Sequence, residues 1–397
     1  MKASITDLPD ESYKGKTVLV RVDFNVPLRD GKVDDDYRIR SSLPTLEYLC
    51  SKGARSIVVS HLGRPEGRRD PSMSLRPVAD RLQSLLPNRK VRWIEECVGN
   101  DVEKAVKDLE DGEVLLLENL RFHAEEEKND EGFSRSLASL AKIYVNDAFS
   151  VSHRKHASIY GTPALLQQRL AGFQVQKELT YLTKIRDAPD QPFILVVGGA
   201  KIRDKIDAMK RLIEKADKVL VGGSVAYTFL ASKGISVGGS PVENDYISWA
   251  GEVLRKEDKI FLPEDHLVAP NSDALSQIQL VRGGIPQGMK GFDIGPSTSQ
   301  TYASIVSSAG RTIFWNGPMG LFEAKEFSQA TTSMCLATAL AHFRGATTVV
   351  GGGDSVSALG KAGIKESEVS HISTGGGASL EYVGGKALPG IEILNNK

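Results

Sequence analysis

The chain has 397 residues, 41% of them hydrophobic and 25% charged, and its 50 basic side chains balance 50 acidic ones. That length exceeds what one hydrophobic core usually supports, which predicts two domains. The neutral balance argues against the basic surface that nucleic acid or an anionic membrane requires, while leaving room for a local basic pocket.

No apolar signal region opens the chain, and no stretch approaches the roughly 18 apolar residues of a membrane span. Cys50, Cys97 and Cys335 are odd in number and lack the spacing of a metal-binding motif. They read as reduced thiols of a soluble, cytoplasmic protein.

Short apolar runs alternate with helical patterns from end to end. Strands are predicted at 17–22, 56–60, 91–94, 114–117 and 143–145, then at 193–197, 218–221, 259–262, 312–315 and 347–350. Helices are predicted at 74–86, 101–109, 201–215 and 325–342, with Arg38 opening another after the first loop. Buried strands alternating with helices indicate an α/β protein, with parallel sheets covered by helices on both faces. Strand numbers on either side of residue 180 are similar, which predicts two domains of comparable size. Residues 171–186 carry apolar side chains at helical spacing and end before the breaker cluster Asp187-Ala188-Pro189-Asp190, as a helix joining two domains would.

Ligands of open α/β sheets bind at the carboxyl ends of strands. In the first half those ends carry Arg21-Val22-Asp23-Phe24-Asn25, then His61-Leu62-Gly63-Arg64, then Asn119-Leu120-Arg121, then Asn146-Asp147 leading to Arg154. With Arg38, five arginines fall at or near the ends of one predicted sheet. The guanidinium is a permanent cation whose planar fork matches phosphate and carboxylate, so such a cluster implies an anionic ligand.

The second half is rich in glycine at the same positions. Strand 193–197 runs into Gly198-Gly199-Ala200-Lys201, and Lys201 and Lys205 are expected on one face of the helix that follows. Further clusters are Gly222-Gly223-Ser224, Gly351-Gly352-Gly353-Asp354-Ser355 and Gly375-Gly376-Gly377, with Phe292-Asp293-Ile294-Gly295-Pro296, Asn316-Gly317 and Glu323 between them. Glycine lets backbone N–H groups approach a phosphate closely. Asp354, beside glycines at a helix start, suits Mg²⁺, which prefers one or two carboxylates plus phosphate oxygens. Neither G-x-x-x-x-G-K-[ST] nor G-x-G-x-x-G is present, so the P-loop and the dinucleotide fingerprint are excluded.

Taken in order, RVDFNVP, SHLGRP, ENLRF, VNDAF…HR-x-H, GGAK-x-x-DKI, DIGP, WNGPMG-x-FE, GGGDS and STGGGASLEY resemble the phosphoglycerate kinase family over nearly the whole chain. The resemblance implies two Rossmann-like three-layer domains: 1–170, with about 380–397 packing back on it, and 187–379, joined by a helix at 171–186. It implies reversible phosphoryl transfer from 1,3-bisphosphoglycerate to Mg-ADP, giving 3-phosphoglycerate and Mg-ATP, in a cytoplasmic monomer.

Carried onto matching positions, Arg21, Asp23, Phe24, Asn25, Arg38, His61, Leu62, Gly63, Arg64, Arg121 and Arg154 would bind the phosphoglycerate. Gly199, Lys201, Lys205, Gly291, Asn316, Glu323, Gly352, Gly353, Asp354 and Ser355 would bind the nucleotide, with Asp354 serving Mg²⁺. Arg38, Lys201, Gly353 and Gly376 are expected to act on the transferred phosphoryl group. Three departures stand out: Ser224 where the family usually has glycine, Ser150-Val151-Ser152 in place of Gly-Thr-Ala, and Gly384 in place of glutamate.

Overall fold

Every residue of Thr17–Val22 after Thr17 is buried, because this strand lies inside a parallel sheet with partners on both edges. In the computed structural model, which describes residues 1–397 apart from the side chain of Ala309, that sheet has six strands. Their spatial order is Val91–Trp93, Val114–Leu116, Arg55–Val59, Thr17–Val22, Ile143–Asp147 and Gln168–Ala171. Register is set by pairs such as Val20↔Val58 on one side and Val20↔Val145 on the other. One face packs on Ile39, Leu46 and Leu49 of helix Tyr37–Ser51 and on Val78 and Leu82 of helix Arg76–Leu85.

A second six-stranded parallel sheet follows, in the order Ile260–Phe261, Lys218–Val221, Phe193–Val197, Thr312–Asn316, Thr347–Gly351 and His371–Ser373. The chain moves outward from Phe193–Val197 along one side, then returns to Thr312–Asn316 on the other. In the first sheet it does the same about Thr17–Val22, returning to Ile143–Asp147. Such a reversal leaves a crevice at the carboxyl ends of the two central strands, because the connections on either side diverge there. The two parallel sheets and their doubly wound order bear out the expected α/β class.

By internal contacts the chain forms two units, Met1–Thr180 with Ala387–Lys397, and Tyr181–Lys386. Residues 387–397 join the first unit through backbone bonds: Ala3 N–H donates to Asn395 O at 2.8 Å and Asn395 N–H to Arg169 O at 2.9 Å. Helix Phe173–Asp187 crosses the boundary. In the first unit Thr45 Oγ1 accepts Phe173 N–H and Asp147 accepts Gln174 N–H; in the second, Tyr181 stacks on His371 with ring centroids 4.9 Å apart.

Several expected boundaries move. The helix expected to start at Lys201 begins at Ile206, with Lys205 as its N-cap, so Lys201 and Lys205 do not share a helical face. Glu243 holds the intervening turn by accepting the Ile202 N–H and pairing with Arg203. Ala171 closes a strand instead of opening a helix, because its N–H donates to Ala3 O and its carbonyl accepts Ile5 N–H. Residues Lys325–Phe327 form a 3₁₀ turn ahead of helix Gln329–Phe343. An antiparallel sheet of Gln279–Arg282, Asp265–Ala269 and Lys290–Ile294 was not expected. Its edge strand Gln279–Arg282 is largely exposed and polar, so it lacks the apolar run that marks a buried strand.

Candidate active site

In the first unit the arginines gather where the topology predicts. Arg38 lies in the first turn of helix Tyr37–Ser51, and its guanidinium meets Asp23 Oδ2 at 2.5 Å. Ser150 donates its hydroxyl to the same oxygen, while Asp23 Oδ1 accepts the Asn25 N–H. Asp23 is therefore held from three sides with 8% of its surface exposed. Arg121 donates to Gly63 O at 2.9 Å and pairs with Glu127 at 3.2 Å. Arg64 and Arg154 are exposed, and their side chains make no hydrogen bond or ion pair among the described residues.

Arg21 lies beneath this surface. It is fully buried, and its guanidinium donates to Ser158 Oγ and Val22 O and meets His61 Nδ1 at 3.2 Å. Ser158 in turn donates both its N–H and its hydroxyl to the buried Glu126. Burial, then the charges of Arg21, Arg121 and Arg38, hold the His61 pKa well below its ordinary value. Burial and Arg121, Arg21 and Arg154 push His156 down to about 4. Both imidazoles are neutral near pH 7, so the positive charge here belongs to arginine.

Phe24, Leu62 and Gly63, expected at the ligand, have their N–H groups taken: by Ser60 Oγ at 2.8 Å, Asn119 Oδ1 at 3.2 Å and Asn25 Oδ1 at 2.9 Å. Phe24 and Leu62 are buried in the core, and of the three only Gly63 is partly exposed. Asn119 was not singled out from the sequence, yet it fastens this region. Its amide donates to Leu62 O and Met73 O, and its oxygen accepts the N–H groups of Leu62 and Arg121. Glu118 extends the network to Ser74, Leu75 and the Asn119 N–H. The signal was present in their place between a strand end and Arg121, but only the fold shows that two other loops converge on them.

In the second unit the strand-end glycines divide into two kinds. Gly198, Gly223 and Gly317 interlock, for a Cβ on Gly198 would lie 2.1 Å from Pro318 O and one on Gly317 2.2 Å from Gly198 O. Bonds from Gly199 N to Pro318 O and from Gly223 N to Met319 O tie these turns together. Gly353, Gly376 and Gly377 have nothing within 4 Å of an added Cβ, and they open the helices Gly353–Lys361 and Gly377–Val383 or precede them. The first set brings the turns together, and the second leaves backbone accessible.

Beside the interlocked turns is a cavity of about 260 Å³ lined by Gly199, Ser224, Gly291, Leu321, Glu323 and Asp354 among others. Strand Lys290–Ile294 of the unexpected sheet delivers Gly291, whose N–H donates to Ser240 Oγ at 2.9 Å and whose Cα lies against Tyr227. Lys205 donates to Asn316 Oδ1, and burial lowers its pKa to about 8. The other half of that amide, Asn316 Nδ2, is a buried donor with no protein partner. Lys201 is exposed. Asp354, exposed in the first turn of its helix, makes no hydrogen bond or ion pair among the described residues. Ser355 is fully buried and accepts the Gly317 N–H at 2.8 Å, so its hydroxyl serves the turn.

The arginine cluster suits a small acid bearing phosphate or carboxylate. The glycine-walled cavity with its Asp354 carboxylate, and Lys205 and the unmatched Asn316 amide against the neighbouring Gly199 and Gly352, suit a metal-bound polyphosphate. Comparison with known proteins accords with this chemistry. The family model described as phosphoglycerate kinase matches residues 6–386. A phosphoglycerate kinase of Moorella thermoacetica is 49% identical over 396 residues, covering 98% of this chain and 99% of the relative. The solved structure of phosphoglycerate kinase from Coxiella burnetii aligns with TM-score 0.84 at 35% identity, over 99% of this chain and 98% of its own. The phosphoglycerate kinase structure from Pyrococcus horikoshii gives 0.86 at 34% identity with the same coverage.

Proposed function

Because the chain belongs to the phosphoglycerate kinase family, whose kinase reaction runs between phosphoglycerate and ATP or ADP, we propose that it transfers the phosphoryl group in line from 1,3-bisphosphoglycerate to Mg-ADP and back. The observation that carries this reading is that Lys205, packed against Gly199 and bonded to Asn316 Oδ1, feels the charge of Asp354, while the unmatched Asn316 amide lies against Gly352. The residues fit the metal: Asp354 would hold Mg²⁺, which would neutralise phosphate charge when bound.

Phosphoryl transfer passes through a loose state whose negative charge spreads over three equatorial oxygens, so positioning and preorganised positive charge do most of the work. Arg38, Arg64, Arg121 and Arg154 bind the phosphoglycerate, with Asp23 and Asn25 ordering its hydroxyl-bearing end. Arg38 then neutralises the acyl-phosphate side. Lys201 follows the moving group, Lys205 and Asn316 hold nucleotide phosphate, and the N–H groups at Gly353 and Gly376 complete the cradle. Each unit supplies one ligand's chemistry, so transfer requires the two ligands to meet. We assign that step to domain closure about helix Phe173–Asp187, which also shields the acyl phosphate from water.

Small-angle scattering with 3-phosphoglycerate and Mg-ATP together should show a more compact protein than either ligand alone produces. Unchanged scattering with both present defeats the closure. Asp354→Asn should raise the Mg²⁺ concentration needed for half-maximal turnover, and an unaltered requirement removes Asp354 from the metal.

A further inference from the structure

A mixed donor cluster lies outside the groups assigned to either substrate. Glu96 and Cys97 follow strand Val91–Trp93, and His123 follows the 3₁₀ turn Leu120–Phe122 beyond strand Val114–Leu116. These two strands are paired neighbours, Val91↔Val114, so both loops emerge at the same end of the sheet edge. There a carboxylate oxygen, a thiol sulfur and an imidazole nitrogen lie within 4.8 Å of one another.

Each donor is already oriented. His123 Nε2 meets Glu96 Oε1 at 2.6 Å, and the same oxygen accepts the Cys97 N–H at 2.7 Å. The imidazole lies against the Phe133 ring, with centroids 5.0 Å apart and planes inclined by 30°. The Cys97 thiol is 1% exposed and donates to Glu118 O at 2.9 Å. The His123 and Glu96 side chains are 26% and 42% exposed. The sulfur forms a closed floor and the other two donors an open mouth. A thiol so enclosed is a poor nucleophile toward a substrate-sized molecule, but one cation needs only the open side.

We propose that Glu96, Cys97 and His123 form a binding site for a borderline-soft divalent cation of the Zn²⁺ or Co²⁺ class. Thiolate with imidazole and one carboxylate is a donor set for such ions, whereas Mg²⁺ and Ca²⁺ prefer oxygen alone. The fourth position faces the open mouth and is left to water. Binding forms one metal–sulfur bond and displaces the Cys97 proton to solvent. The imidazole contributes the Nε2 lone pair, its proton residing on Nδ1. Bonds of about 2.0–2.3 Å need the carboxylate and imidazole to part slightly, which the partly exposed Glu96 side chain permits. Bound there, the cation would tie residues 96 and 97 to His123, two positions beyond Arg121.

The test is titration of the reduced, full-length protein with Co²⁺, followed by near-ultraviolet absorption of the thiolate–cobalt charge-transfer band. One Co²⁺ per chain with that band is expected, displaced by Zn²⁺ and absent in Cys97→Ser. His123→Gln should weaken Co²⁺ at least about tenfold. No thiolate band at saturating Co²⁺ in the unaltered protein overturns the proposal. So does a band that persists in Cys97→Ser, which would assign it to Cys50 or Cys335. If Cys97→Ser does not fold, His123→Gln carries the test, and unchanged Co²⁺ affinity in it overturns the site.

Discussion

The unit containing Arg38 carries its proposed ligand chemistry on long side chains, whereas the unit containing Lys201 carries much of what is proposed for it on backbone. In the first unit Asp23, itself held by Ser150, fixes the Arg38 guanidinium, and Asn119 fixes the backbone of Arg121. Backbone N–H groups are aimed by the fold itself, and the second unit spends interlocked glycines for that purpose. One half can therefore be altered a side chain at a time, while the other answers mainly to changes in the space around its main chain.

The largest test removes one charge from each half. Arg38→Ala and Lys201→Ala should each lower kcat by about 10²- to 10³-fold, by analogy with the loss of one preorganised donor to a transition state. If both stay within about threefold of the unaltered enzyme, the assignment of charge stabilisation to these two side chains fails.

Next come the two kinds of glycine. Gly198→Ala forces a methyl to 2.1 Å from Pro318 O, and it should cost about 1–3 kcal/mol in a denaturant melt, as overpacking does. Gly353→Ala meets open space and gains helix propensity, so stability should hold while the nucleotide KM rises. An unchanged nucleotide KM would mean that open glycines are not ligand surface.

That division was not legible in the sequence, although the glycine clusters were. Gly198-Gly199 and Gly376-Gly377 read alike, and what separates them is the strand or turn across the crevice. The alternation of strands and helices, the five arginines at strand ends and Asp354 at a helix start were all accessible from spacing. The place of Lys201 was not, because Glu243, 40 or so residues on, holds its turn out of the helix. The antiparallel sheet carrying Gly291 was hidden by polar edge residues. Cys97 lacks any motif spacing to His123 because the two are brought together by strand pairing.

A smaller effect separates lysine from arginine. Burial lowers the Lys205 pKa to about 8, so the unliganded site loses a charge as pH rises through that value. Nucleotide affinity should fall above pH 8 in titration calorimetry, with no matching loss of phosphoglycerate affinity, since arginine stays protonated. A parallel decline for both ligands would blur the contrast between the halves.

The smallest concerns one buried carboxyl in each unit. Burial raises Asp147 to about 7 and Asp293 to about 8, despite N–H donors from Gln174 to the first and from Ala330 to the second. A carboxyl whose folded pKa exceeds its unfolded value of about 4 takes up a proton on folding, so its contribution to stability declines as pH rises between the two. Chemical melts from pH 4 to 8 should show that decline, and Asp147→Asn should remove the part below about pH 7. Identical slopes in the two proteins would show that Asp147 folds ionised.

Residues 387–397 complete a unit whose other residues end at Thr180. On the ribosome, Tyr181–Lys386 must be synthesised before Gly390 can accept the Asn146 amide or donate its own N–H to Ser152 O. Assembly of the arginine-bearing unit therefore finishes last, and its first strands wait, lacking those partners, while Tyr181–Lys386 is made.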